Sequence, residues 1–277
     1  MKSARIVLAA LFPVLFFTTV QAQEDSLMHQ RDSAVIAGDD PTTMFFQNEE
    51  KSKTPGKVLL VTKTGKTVSL SNFLKDPDFD AADHVLSDLD NDGKKELLIY
   101  NYTGGAHCCD EIYIFKNTGP GKYQYVATLF AGHTLITKEK EFVFTFYELF
   151  GYFFTCYACG LIDTTDEAPI DIRAITLHYS KGKLLINPGD PELRSIINDN
   201  LAKLGEQPYE KLDEELAQDN GLRKEFAMNL AVYYYSFGKN LPETQRLFNK
   251  YYKFPDAKKV WTEFAKQLLQ IRKDNNF

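Results

Sequence analysis

The sequence predicts an α+β fold, an antiparallel β-sheet or sandwich followed by a helical C-terminal subdomain, and three observations carry that expectation. Between residues 58 and 186, short runs rich in β-branched and aromatic side chains are separated by turn residues such as Gly104-Gly105, Gly119-Pro120-Gly121 and Lys181-Gly182. After Pro188 the apolar residues recur at three- and four-residue intervals instead. With 44% hydrophobic and 13% aromatic residues over 277 positions, the chain has material for one large domain or two modest ones.

Residues 1–22 read as a secretory signal peptide. Lys2 and Arg5 supply the positive start, an apolar run broken by Pro13 follows, and Val20-Gln21-Ala22 offers small residues for cleavage. The run is short for a membrane span, and no later segment approaches the roughly twenty apolar residues a spanning helix needs. The expected location is therefore exported, periplasmic or extracellular, with no stable membrane insertion after cleavage. No cysteine follows the cleavage region to take a lipid. Residues 23–56, with Gly38-Asp39-Asp40-Pro41 and Glu49-Glu50-Lys51, read as an extended lead-in.

Residues 57–187 form the expected β-rich domain. Strands are predicted at 58–62 and 67–70, joined as a hairpin through Gly65, and then at 96–102, 111–116, 123–130, 142–154, 172–179 and 183–186. Such a meander implies a mainly antiparallel sheet. Residues 188–277 form the helical part. Leu222, Phe226, Leu230, Tyr233 and Phe237 make one stripe, and Trp261, Phe264, Leu268 and Ile271 another. Pro242 and Pro255 mark helix starts and Gly238 an end, which places helices near 191–204, 220–237, 242–252 and 256–273. The aromatic runs Tyr233-Tyr234-Tyr235 and Tyr251-Tyr252 are expected in the core rather than in a binding groove.

The segment Asp88-Leu89-Asp90-Asn91-Asp92-Gly93-Lys94-Lys95-Glu96 sets carboxylates at alternate positions, then a glycine, then a further carboxylate. Calcium takes six to eight hard oxygen ligands at flexible angles, so a loop turning Asp88, Asp90, Asp92, the Lys94 carbonyl and Glu96 inward builds most of a coordination sphere. An EF-hand begins in the same way, but its twelfth position needs a bidentate glutamate, and Ile99 stands there. The apolar run from Glu96 to Tyr100 favours a strand.

An acidic loop leading straight into a strand resembles the calcium loops of FG-GAP or VCBS-type repeats, the unit of integrin-like β-propellers. The resemblance covers residues 82–115 and rests on Asp88, Asp90, Asp92, Gly93, Glu96 and the apolar run after them. It implies one calcium ion at a propeller-like loop. A closed propeller needs at least about four blades. No second Asp-x-Asp-x-Asp-Gly occurs, and Asp163-Thr164-Thr165-Asp166-Glu167 lacks the spacing, so a single β-domain with one such loop is expected. The turn Gly104-Gly105-Ala106-His107-Cys108-Cys109, followed by Tyr113-Ile114-Phe115, is similar to a pattern in exported bacterial proteins with VCBS-like repeats, which implies export and says little of activity.

Cys108, Cys109, Cys156 and Cys159 are all the cysteines of the chain. In an exported protein an even count implies disulfides. Three pairings are open. Two bridges between the Cys108-Cys109 turn and the Cys156–Cys159 segment are favoured, since a bond between adjacent residues strains an eight-membered ring. Each cross-bridge closes a loop of about fifty residues, worth roughly 3–4 kcal/mol for the first. Two other readings use the same residues: a redox dithiol at Cys156 and Cys159, and a zinc site that adds His107 to the four cysteines.

Removing Lys2 and Arg5 with the signal leaves 30 basic against 38 acidic residues, a formal −8, which argues against nucleic acid as a partner. The sequence has no His-Glu-x-x-His, Gly-x-Ser-x-Gly, Walker or dinucleotide motif. The five histidines are scattered. His84, four residues before Asp88, reads as an ordinary half-buried side chain that could at most orient a loop carboxylate. The expected function is a calcium-stabilised, disulfide-containing, non-enzymatic binding module that presents its surface to a protein or a glycan. A hydrolase using Asp88 and Glu96 is the alternative, and a thiol redox sensor the second.

Overall fold

The computed structural model describes residues 50–51, 58–77, 79, 81–102, 110–130, 135–136, 140–159, 161, 172–212, 219–275 and 277. Residues 1–22, expected as a signal peptide, most of the expected lead-in 23–56, residues 104–109 and residues 163–167 lie outside the described residues. The strands are β1 Glu50–Lys51, β2 Leu60–Thr62, β3 Thr67–Ser69, β4 Ala81–Ser87, β5 Glu96–Tyr102, β6 Asp110–Gly119, β7 Lys122–Phe130, β8 Leu135–Ile136, β9 Glu141–Thr145, β10 Ala174–Ser180 and β11 Lys183–Ile186. The helices are α1 Leu70–Phe73, α2 Tyr147–Phe150, α3 Pro191–Gly205, α4 Leu222–Ser236, α5 Leu241–Tyr251 and α6 Ala257–Asp274.

The strands make two sheets. The larger runs β1-β4-β5-β6-β7-β2-β3, where among the described residues β2 with β7 is the parallel pair; the smaller runs β11-β10-β9-β8 with antiparallel pairs. Strand β5 is the hub of the larger sheet. Leu97, Leu98 and Ile99 are all wholly buried, so consecutive side chains on both faces lose their water. Leu97 and Ile99 pack with Phe115, Tyr113, Leu59 and Phe73 on one side. Leu98 packs with Ile112, Ile114 and Leu129 on the other, in a core that continues through Phe142, Phe144 and Leu177 of the smaller sheet into helices α3 to α6. The sheets and the helices thus share one hydrophobic core.

The four C-terminal helices, α3 to α6, lie within two residues of expectation, and the starts of α3 and α5 show why. Asp190 accepts the Leu193 amide at 2.7 Å with Pro191 in the first turn, and Asn240 accepts the Glu243 amide at 3.1 Å with Pro242 beside it. Tyr233, Tyr234, Tyr235 and Tyr252 are core residues, each at most 5% exposed.

Two local expectations are corrected. Residues 142–154 are not one strand: β9 ends at Thr145, helix α2 follows, and Phe154 adopts a left-handed φ of 55°. Phe146, Phe150 and Phe153 explain the change, since their four- and three-residue spacing turns all three rings into the core, with centroids 6.4 and 5.6 Å apart. Helix α1 at Leu70–Phe73 and strand β4 at Ala81–Ser87 are elements that the sequence does not predict; in β4 Asp83 and His84 hide the alternation that pairs it residue for residue with β5.

Helix α4 is buried over all fifteen residues, including Arg223, Lys224 and Glu225. Buried charges persist only when partnered. The Arg223 guanidinium lies 2.6 Å from the Asp219 carboxylate and 2.7 Å from Asp256, and donates to the Glu210 carbonyl at 2.9 Å. Glu225 takes Arg173 at 2.9 Å. No helix among the described residues is long and apolar enough to cross a membrane.

Replacing Arg223 with methionine keeps its bulk but leaves Asp219 buried without a cation. The expected cost is about 3–5 kcal/mol, read as a lower urea midpoint with unchanged slope. A change below about 1 kcal/mol, the range of an exposed pair, would contradict this account of α4.

Candidate metal centre at the junction of the two sheets

Residues 88–95 connect β4 to β5, whose ladder closes with Ser87 opposite Glu96. The loop folds on its own carboxylates. Asp88 accepts the Asp92 amide at 3.0 Å on Oδ1 and the Gly93 amide at 2.9 Å on Oδ2. Asn91 and Gly93 supply the left-handed conformations of the bend, with φ of 59° and 85°. Leu89 points the other way, 5% exposed, and anchors the loop in the main core.

This folding brings Asp88, Asp90 and Glu96 together. One carboxylate oxygen from each lies within 4.8 Å of the others, a group that can hold a metal ion. Asp92 stands apart, exposed, with its carboxylate on the Lys94 amide at 2.8 Å and the Lys94 ammonium at 3.3 Å. The amide bond above all holds the Asp92 carboxyl below its ordinary range. Burial pushes the Glu96 carboxyl up, opposed by the Leu89 amide at 3.2 Å and reinforced by the charges of Asp90 and Asp92.

The smaller sheet closes the site. The Lys181 amide, in the turn between β10 and β11, donates to Asp90 Oδ2 at 2.8 Å. The Tyr179 hydroxyl reaches Glu96 Oε1 at 3.4 Å, and burial and that carboxylate keep the phenol in its neutral form. The Lys140 ammonium, just before β9, donates to the Asp88 carbonyl at 2.6 Å. Two buried polar atoms here have no hydrogen-bond partner, Asp90 Oδ1 and, at the base of the loop, Ser87 Oγ. Buried polar atoms are seldom left alone in a folded protein, and Asp90 Oδ1 belongs to one of the three residues that could hold an ion. Lys140, Tyr179 and Lys181 carry no local sequence signal, since they lie 52 to 91 residues from their loop partners. His84 sits inside β4 opposite Ile99.

The cysteine arrangement corrects an expectation. Cys156 and Cys159 are bonded to each other, with their Cα atoms 5.0 Å apart. A turn closed by the Cys159 amide on the Cys156 carbonyl at 3.1 Å sets this geometry. Neither cysteine is therefore available for a bridge to Cys108 or Cys109, or as a zinc ligand alongside His107. Cys108, Cys109 and His107 lie outside the described residues.

The chain matches no protein-family model, no curated protein and no solved structure.

Gly93→Ala tests the geometry of the loop without touching a carboxylate. No atom lies within 4 Å of the added Cβ, so the cost is conformational only. At a φ of 85° it should be about 1–2 kcal/mol, read by thermal or urea unfolding. An unchanged stability would mean that the left-handed bend is not what shapes the site.

Proposed function

We propose that the chain is an exported protein in which the 88–96 loop binds calcium, and that the ion is structural, fixing a surface offered to a protein or glycan partner. The observations that carry the metal reading are the convergence of Asp88, Asp90 and Glu96 within 4.8 Å and the unpartnered Asp90 Oδ1. Calcium is the favoured ion on two grounds. The donors are all hard carboxylate oxygens. Calcium's oxygen ligands lie about 2.3–2.6 Å from the ion, so three oxygens within 4.8 Å of one another can all reach one such ion. Asp92, which bonds Lys94 and stands outside the cluster, and the Lys94 carbonyl are the next donors along the loop and would have to turn inward to join the sphere. The resemblance of this loop and its following strand to FG-GAP or VCBS-type repeats supports the same ion, and the pattern of residues 1–22 supports export.

The non-catalytic reading follows from the same chemistry. Carboxylates neutralised by calcium are poor proton carriers, which weakens the case for a hydrolase acting through Asp88 and Glu96. The ion would instead offset the mutual repulsion of three carboxylates at the point where the two sheets touch.

Unfolding in calcium and in chelator tests this. At a calcium concentration one hundred times the dissociation constant, a ligand specific for the folded state adds about 2.7 kcal/mol. For a chain of this size that is a rise of about 5–10 °C in Tm. Asp90→Ala should abolish the rise, and magnesium, which demands a tighter octahedron, should give a smaller one. An identical Tm in calcium and chelator would refute the proposal.

A further inference from the structure

The Cys156–Cys159 bond lies apart from the acidic loop and does little that a structural disulfide is built to do. It joins residues only three apart in sequence, and a bridge over so short a loop constrains the unfolded chain least. The turn that carries it is also held by other means. The Tyr157 carbonyl accepts the Tyr147 hydroxyl at 3.0 Å and the Lys224 ammonium at 2.9 Å. The Tyr157 hydroxyl donates to Glu148. Just upstream, the Asp219 amide donates to the Phe154 carbonyl at 3.1 Å, and the Thr155 hydroxyl to the Asp219 carbonyl at 2.9 Å. A frame with that many anchors keeps its shape when the sulfurs separate.

The surroundings suit exchange. Cys156 and Cys159 are both half-buried, and Cys156 lines an open cleft of about 750 Å³, with Glu148, Tyr152, Lys259 and Glu263 among its other walls. Tyr152 is 70% exposed. The Lys224 ammonium sits on the carbonyl of a residue between the two cysteines, where burial pulls its pKa down, and Lys259 shares the cleft wall with Glu148 and Glu263, so charges of both signs surround Cys156.

We propose that Cys156 and Cys159 form a redox-active pair that exchanges with a dithiol partner, with Cys156 as the sulfur attacked. In the first step a thiolate of the partner attacks Cys156 Sγ. A mixed disulfide forms, the Cys156–Cys159 bond breaks, and Cys159 leaves as a thiolate. The partner's second thiolate then attacks its own sulfur in the mixed disulfide, and Cys156 leaves as a thiolate. The two protons given up by the partner's thiols end on the two cysteines or in solvent. The pair gains two electrons, and the partner is oxidised from dithiol to disulfide.

The test equilibrates the full chain against a series of reduced-to-oxidised glutathione ratios, quenches with acid and alkylates. The state of the pair is read by mass on the peptide that carries both residues, with circular dichroism recorded in parallel. The pair should pass from disulfide to dithiol within the glutathione series while the protein stays folded. Glutathione disulfide should react with the thiol left at Cys156 by Cys159→Ser at least about tenfold faster than with the one left at Cys159 by Cys156→Ser, each read by mass on its own peptide so that Cys108 and Cys109 do not enter the comparison. The double variant Cys156→Ser/Cys159→Ser should remain folded. Two results would overturn the proposal: a bond that opens only when denaturant is added, or a chain that loses its fold once the bond is removed. Equal rates at the two sulfurs would remove the assignment of Cys156 as the one attacked.

Discussion

Three carboxylates within 4.8 Å of one another repel, and the chain places them where its two sheets meet. At an effective dielectric of about 20, each such pair costs on the order of 3 kcal/mol. Hydrogen bonds relieve part of that cost. Asp88 is held by two amides of its own loop, Glu96 by the Leu89 amide, and Asp90 by the Lys181 amide from the opposite sheet. The remaining imbalance, concentrated at the buried and unpartnered Asp90 Oδ1, is what a cation would remove. A charge placed there would act on both sheets at once, because Asp90 and Glu96 touch the β10–β11 hairpin while their backbone belongs to the connection between β4 and β5.

This placement explains why an ion could matter to a protein with so extensive a core. The core binds the smaller sheet to the helices through Phe144, Phe146, Phe150 and the wholly buried α4. The edge of that sheet near Lys181 rests on the acidic loop through polar contacts. Polar contacts between exposed groups are worth little, whereas the same contacts organised around a bound ion are charge-assisted. The loop is thus the part of the structure whose rigidity can change with conditions while the apolar core stays as it is.

Much of the fold can be read from local pattern, and what escapes does so for physical reasons. The four C-terminal helices announce themselves through periodic apolar residues and through the Asp190-Pro191 and Asn240-Leu241-Pro242 starts. The hairpins announce themselves through alternation and glycine. Strand β4 escapes because Asp83 and His84 interrupt its apolar run, and its identity comes from pairing with β5. Residues 146–153 mislead because a dense aromatic run suits a strand as well as a helix, and tertiary packing decides. The charged first turn of α4 looks like a solvated helix start; its burial depends on Asp256, 33 residues away, and Arg173, 52 residues away. At the site the same division holds. Asp88, Asp90, Gly93 and Glu96 follow from spacing, because one loop contains them all. Tyr179, Lys181 and Lys140 do not, because only the meeting of the two sheets brings them there. The Cys156–Cys159 bond follows a turn that spacing alone leaves open among three pairings.

The central claim is that an ion in the 88–96 loop ties the β4–β5 connection to the β10–β11 turn. Amide hydrogen exchange with and without calcium addresses it directly, since the Lys181 amide donates to Asp90 across the sheet boundary. The account predicts that calcium slows exchange at Lys181 together with Asp92, Gly93 and Lys94, and leaves the amides of β6 and α4 unchanged. Slowing confined to the loop, with Lys181 unaffected, would show an ion that binds without joining the sheets. Identical exchange in both conditions would contradict the claim outright.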